Sequence, residues 1–573
     1  MRTSACVAAV VLAVVAAGCM AGCMKGKTET VRAWGEAPHE ARLLEFIPAD
    51  TPYVFVNLGG FPPAYVDKIF DAVGPMMDSA FTVIETQPDA MAHLPEPAQR
   101  VVRVLLEELR GRFSREGLGE LGLDPQMRGA LYGIGLLPAM RVQLKDAKLF
   151  AAFVDRVQKK AGLTMPEKTF GGQGYWVYQK NELMLVMALV GQDLVFGLTT
   201  GETADEYLPL LFGQKKPQKS LAVAKTLGRI VEDYGFEPFG GGYVDLNIVA
   251  ETLLGDASGT NAAIVKALDL GIPVLSPQCK SEIRQLVATT PRWVIGYESV
   301  SDKVAAATMV FELRPDLAAD LAKLRAPVPG LGIRSDGMPL AAFGMGIDVA
   351  ATIGFLETKT AAALASPCQC EYLAGLNRAA ASLSDSLVKA RQLPMPQSIL
   401  LGIKGFSVVV DDYSSADGIS VKGTAVLAAD NPMLILNMAQ MAASSQSQLM
   451  PLARVKVEPN GEPQKLPPVL PINGDAFVAV KGNAIGISLG FGTAERLAQL
   501  LDTAPPANPP LMAGAYDSGR LVKAIGKATE DRSSAGVNPM GGIVKMESLL
   551  GLGSFSIEVG ERGLVLRSSL SLR

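Results

Sequence analysis

Histidine is nearly absent: His39 and His93 are the two in 573 residues. Chemistry that needs an imidazole as base, shuttle or metal ligand is therefore confined to those positions. His39 falls in a polar stretch (25–42) and His93 in a Pro-flanked loop, Met91-Ala-His-Leu-Pro95, both settings for solvated residues. Cysteine is scarce as well. The three cysteines beyond the N-terminal region, Cys279, Cys368 and Cys370, lack the paired spacing of a zinc site. No metal and no cofactor is expected. Charged residues make up only 19%, with a net charge of −4 and no basic block, which argues against nucleic acid as a partner. Aromatics reach 6%, few for a surface that stacks sugars or bases. Long apolar runs are missing after the first 18 residues. The most apolar later segment, 183–190, stops at Gly191-Gln192-Asp193 and reads as a strand and hairpin turn, too short for about 30 Å of hydrocarbon.

What is present begins with a leader. Met1-Arg-Thr-Ser is followed by a run of Ala, Val and Leu through Gly18, the form of a secretory signal. Ala16-Ala17-Gly18-Cys19 and Ala21-Gly22-Cys23 both resemble the bacterial lipobox, although each lacks the usual Leu three residues before the cysteine. Cys19, which abuts the apolar run, is the expected lipidation site, and Cys23 is the alternative. The resemblance implies acylation (diacylglyceryl and palmitate-type chains) at that cysteine. Met20 or Met24 in the next position, rather than Asp, implies the outer membrane, facing the periplasm. Residues 1–18 are then a signal peptide and 19–45 a tether, and the membrane is a partner through the anchor.

The body is apolar, 49% by composition with a mean hydropathy of +0.24, so large cores are expected. Its length exceeds what one core fills. Repetition shows how it divides. Residues 191–211 lie over 482–501 with one insertion: a turn, an alternating strand, then a Thr-Ala-acidic helix start in which Thr203 and Thr493 are placed to cap. Gly242-Tyr-Val-Asp245 and Gly514-Ala-Tyr-Asp517 then match as strands leading into helices, as do Tyr53-Val-Phe-Val-Asn57 and 343–348, ending at Asp348. Hairpins are expected at 130–144, 293–313, 399–427 and 555–572. Asp146 should cap a helix with an apolar stripe of Leu149, Phe150, Phe153, Val154 and Val157, and Pro315 and Pro432 fall in first turns. Four units follow, 46–213, 240–326, 339–504 and 513–573. They pair into lobes 46–326 and 339–573 across a 327–338 linker that begins Pro327-Val-Pro-Gly-Leu-Gly332. The Pro-rich stretch 455–471 reads as a loop. The fold class is α+β: two duplicated lobes of antiparallel sheet, built of β-hairpins and covered by helices.

Ile47-Pro-Ala-Asp-Thr-Pro52 leading into a strand, Ala130-Leu-Tyr-Gly, Lys145-Asp146-Ala147 and Tyr243-Val244-Asp245 together resemble the DUF3352 family of exported bacterial proteins. The resemblance spans most of the chain, implies a shared fold, and carries no catalytic residues with it.

Motifs for catalysis fail on context. Gly486-Ile-Ser488-Leu-Gly490 matches a nucleophile elbow, but no His follows it, and the repeat sets Gly197 opposite Ser488. Ser386-Leu-Val-Lys389 matches a Ser-x-x-Lys pair, yet Tyr413-Ser-Ser and Lys422-Gly-Thr424 are too close to complete the set. Gly117-Leu-Gly-Glu-Leu-Gly122 follows a helix (96–113) and reads as a helix exit, not a dinucleotide loop. Asp245, Asp348 and Asp517 recur as helix caps. Among the 22 Met, the groups Met76-Met77, Met184 with Met187, and Met433, Met438 and Met441 raise the idea of an apolar groove. In an oxidising periplasm Cys279 is expected to pair with Cys368 or Cys370. The expected role is non-enzymatic: an envelope lipoprotein acting as a binding or scaffolding module, with envelope proteins as partners. The alternative is a carrier or sensor of a lipid or other apolar ligand, and the most remote reading is a serine hydrolase. Large cores should leave no open cavity between the lobes.

Overall fold

A computed structural model describes residues 42–86, 91, 95–254, 275–332, 339–392, 396–414, 420–469, 474–521, 523 and 550–573. Ten strands come from the first half of the chain: β1 (Tyr53–Asn57), β2 (Gly129–Ile134), β3 (Leu137–Gln143), β4 (Glu167–Phe170), β5 (Gln173–Lys180), β6 (Leu183–Val190), β7 (Asp193–Thr200), β8 (Glu237–Asp245), β9 (Arg292–Val300) and β10 (Val304–Glu312). Nine come from the second: β11 (Ala341–Gly346), β12 (Ile403–Ser414), β13 (Ser420–Ala429), β14 (Gln464–Lys465), β15 (Ala476–Lys481), β16 (Ala484–Leu489), β17 (Met512–Asp517), β18 (Leu550–Gly560) and β19 (Gly563–Leu572). The class is α+β, and the described strands form one antiparallel sheet of 19.

Pairing runs β4-β5-β6-β7-β3-β2-β1-β8-β9-β10 and continues β19-β18-β17-β11-β12-β13-β16-β15-β14. Read outward from the β10–β19 pair, both arms visit corresponding strands in the same order. The four expected hairpins are β2–β3, β9–β10, β12–β13 and β18–β19. The sheet of 19 strands is not clearly divided into the two expected lobes. β10 and β19, the last strand of each half, pair along Val304–Glu312 and Gly563–Ser571, so the halves share a ladder instead of facing a cleft. The physical reason is that each of those strands would otherwise present an unpaired edge. Nor is 327–332 an open linker. Val328 and Leu331 are buried with Ala428 and Ala513, and the Ser407 hydroxyl donates to the Pro329 carbonyl at 2.7 Å.

Because directly paired residues share a face of a sheet, the register sorts the cores. The back face carries the largest core of the first half, including Val54, Tyr132, Val186, Val195 and Val294 under Tyr207, Leu208 and Leu211 of the helix Ala204–Leu211. Its counterpart in the second half sets Val426, Ala479 and Ala484 under Leu497 and Leu501 of the helix Ala494–Asp502. On the front face, the helix Ala147–Ala161 covers Leu194, Phe196 and Met187, and the helix Pro432–Ser444 covers Val478, Val480 and Ile485.

Local expectations fared unevenly. The Asp146 carboxylate accepts from the Lys148 and Leu149 amides, and Pro315 and Pro432 open their helices. Leu149, however, is 45% exposed, because the buried stripe begins one residue later at Phe150. Thr203 and Thr493 do not cap. Their backbones are already helical, so their hydroxyls turn back, Thr203 to the Thr199 and Thr200 hydroxyls at 2.9 Å and Thr493 to the Gly490 carbonyl at 2.9 Å. The helix Glu96–Leu109 ends before the Gly117–Gly122 run, most of which lies in the short helix Arg115–Glu120, capped by Ser114. The 455–471 stretch includes the short edge strand β14.

Candidate functional site

Cys19, Cys23, His39 and His93 lie outside the described residues. Cys279, Cys368 and Cys370 come together where helical excursions of the two halves meet. Cys279 and Cys370 form a disulfide, with Cα atoms 4.5 Å apart, and Cys368 is a free, half-buried thiol. Cys279 sits in the first turn of the helix Pro277–Val287, whose N-cap Ser276 accepts the Cys279 amide at 3.1 Å. From the same helix, the Glu282 carboxylate accepts the Gln369 and Cys370 amides at 3.1 and 2.9 Å. Hydrogen bonds from the Gln278 side chain and from those two amides hold the Glu282 carboxyl below its ordinary value. Asn377 clamps Cys368 from the other side, accepting its amide at 2.9 Å and donating to its carbonyl at 2.8 Å.

The serines of the matched motifs are not brought to a common site. Ser488 is fully buried in mid-strand β16, and its hydroxyl has no hydrogen-bond partner. Ser386 donates to the Ser382 carbonyl one turn back on the helix Ala374–Arg391. Asp245, Asp348 and Asp517 accept the amides of Ile248, Ala351 and Arg520, which is capping geometry. Asp348 also binds Lys404 at 2.8 Å, and Asp517 binds Arg573 at 2.7 Å. The methionines do not gather into one groove. Met184 and Met187 lie on opposite faces of β6, Met433 packs against Val478 and Val480, and Met441 is 67% exposed. Among the described residues no group of His, Cys, Asp and Glu is placed to hold a metal ion. No described helix is long and apolar enough to cross a membrane.

A feature that the sequence reading missed lies on the front of the sheet. Leu131, Phe55, Gly242, Ile295, Met309, Leu566, Ile557, Met512, Met345, Phe406, Leu427 and Ile485 are successive cross-strand partners, one per strand from β2 to β16 across the junction. At normal strand spacing this row extends roughly 50 Å, and it holds no polar side chain. From Ile295 to Ile485 it is half-buried, and Phe55 is 39% exposed. Trp293, Phe343 and Ile487 on the same face are 41%, 41% and 43% exposed. Rings meet there, Trp293 edge-on to Phe311 at 5.4 Å and Phe343 against Phe406 at 5.8 Å. Behind the same junction strands the surface is polar, with Arg567 bound to Glu298 and Glu558 beside Thr308 and Ser556. Alternation within each strand was legible; the alignment of twelve strands into one row depends on pairings the sequence does not spell out.

A pocket lined by Arg42, Asn57, Arg128, Gln143 and Asp193 has a volume of about 20 Å³, far short of an acyl chain's needs. No family model, no curated protein and no solved structure matches the chain.

Proposed function

We propose that this chain is a lipid-anchored protein of the bacterial envelope that works by binding, as a scaffold or binding module, through the front of its junction strands. The observation that carries this reading is the uncharged row with half-exposed aromatics, because a broad exposed apolar patch marks an interaction surface. The leader places the anchor on Cys19, or on Cys23, and the body at the periplasmic side of the outer membrane. The matching strand order of the two arms supports duplicated halves, and the Ile47–Pro52 phrase supports kinship with DUF3352-like exported proteins. A second reading, a carrier of lipid or another apolar ligand, is favoured by one specific feature: a row without hydrogen-bonding side chains suits hydrocarbon. The serine hydrolase reading has no comparable support, since Ser488 is sealed within the sheet.

Fractionation tests the anchor. Cys19→Ala should move the protein to the soluble periplasmic fraction, retention shifts the assignment to Cys23, and retention of the double variant overturns the lipoprotein reading. Native mass spectrometry of protein exported without its acyl anchor separates the binding readings. A stoichiometric lipid establishes the carrier; a bare polypeptide mass leaves the scaffold. Trp293→Glu with Phe343→Glu should then lower lipid content or capture of envelope proteins at least about tenfold while the melting temperature holds. Unchanged binding would remove the front face from the account.

A further inference from the structure

We infer that Cys368, Cys370 and Cys279 form a thiol–disulfide exchange site in which the free Cys368 displaces Cys279 from Cys370. This stands independently of the binding reading. Three observations carry it. Cys368 and Cys370 are two residues apart in a segment without helix or sheet pairing, so the free thiol is next but one in the chain to a half of the disulfide. That segment is held on both sides, by Glu282 at the Gln369 and Cys370 amides and by Asn377 at Cys368, so the attacking sulfur does not diffuse away from its target. The leaving group, Cys279, lies in the first turn of a helix of 11 residues, where the helix dipole favours a thiolate.

The step balances without an outside oxidant or reductant. Cys368 gives its thiol proton to water, and its thiolate attacks Sγ of Cys370. The bond between Cys370 and Cys279 breaks, and Cys279 departs as a thiolate that takes a proton from water. One disulfide is made and one lost. The product carries a Cys368–Cys370 bond and a free Cys279, which unties the helix Pro277–Val287 from the segment ahead of the helix Ala374–Arg391.

The test uses the full chain, unreduced. Protein held at pH 8 is sampled over time, quenched in acid, trapped with N-ethylmaleimide and mapped by mass spectrometry. The expected result is growth to a plateau of molecules with Cys279 trapped and Cys368 linked to Cys370. In Cys368→Ser, checked for an unchanged melting temperature, trapping of Cys279 should fall at least about tenfold. Below the thiol pKa the initial rate should rise about tenfold per pH unit, following the thiolate fraction. If Cys368 alone is trapped at every time point, or if Cys279 is trapped equally in Cys368→Ser, the inference is overturned. Cys279→Ser supplies an independent check: with oxidised glutathione it should form the Cys368–Cys370 bond, and two persistent mixed disulfides would refute it.

Discussion

Arg141 shows how far a single residue's burial departs from what its identity implies. It is 1% exposed on the back of β3, with its guanidinium bound to Asp193 at 2.9 Å, donating to the Leu211 carbonyl at 2.8 Å and stacked 4.0 Å over Phe46. Arg42 reaches the other Asp193 oxygen at 3.0 Å, which pins the start of the described chain to the first core. Beside it, burial pushes the Tyr132 hydroxyl above its ordinary value, with Arg141 opposing. Removing Arg141 leaves the buried Asp193 carboxylate with only the half-exposed Arg42 as partner, whereas removing both Arg141 and Asp193 leaves no buried charge. Arg141→Met should therefore cost about 3–5 kcal/mol in urea unfolding, and Arg141→Met with Asp193→Leu should recover most of that loss. Equal destabilisation in the single and double variants would show that packing, not charge, governs the site. Nothing in the local sequence marks this pair, since an Arg within Leu-Pro-Ala-Met-Arg-Val reads as an outward residue. Caps were legible at Asp146 and Asp348 because their chemistry is local, and Thr203 and Thr493 misled because their own backbones are already helical.

At the scale of elements, the repeated strand–helix pair explains both why the duplication was visible and where it is imperfect. β7 runs under the helix Ala204–Leu211 as β16 runs under Ala494–Asp502, and close approach requires small residues on the strand. A Cβ on Gly197 would stand 2.8 Å from a Leu211 methyl and closer still to the Tyr207 hydroxyl; one on Gly486 would stand 2.5 Å from a Leu497 methyl. Gly197→Ala should cost about 1–3 kcal/mol, the usual penalty of overpacking. Ser488 occupies the place that Gly197 has in the first arm, and its buried hydroxyl lacks a partner. Ser488→Ala should then stabilise by about 1 kcal/mol, read as a higher urea midpoint. A lower midpoint would mean that the hydroxyl is satisfied after all. The same residue that matched a catalytic motif is thus expected to be a small liability of packing.

At the scale of the molecule, local repetition could not reveal that the halves are joined through their last strands, because Thr308 meets Arg567 only once both halves are folded. The ladder is reinforced by a charged cluster that crosses the divide. Arg562, in the turn between β18 and β19, binds Asp233 at 3.0 Å and lies 5.0 Å over the Tyr234 ring, while Tyr234 donates to Glu312, itself paired with Arg292 at 2.6 Å. Burial, followed by the Glu312 carboxylate, pushes Tyr234 up to about 12, and burial does the same to Tyr243 on β8. Arg562 holds Asp233 below the usual carboxylate range. The two kinds of shift act at opposite ends of the pH scale. In the unfolded chain tyrosine ionises near pH 10, so the contribution of the protonated tyrosines is complete below about pH 10 and is lost as pH rises through about 12. Asp233 contributes above the ordinary carboxylate pKa, and its share fades as pH falls through its depressed value. The urea midpoint should accordingly drop between pH 10 and 12, and Tyr234→Phe should shallow that drop while leaving the acid limb in place. Measurement must be fast relative to disulfide exchange, which thiolates carry out readily at alkaline pH. An equally steep alkaline loss in Tyr234→Phe would assign it to Tyr243 and the first core, and would leave the junction without a role in the alkaline response.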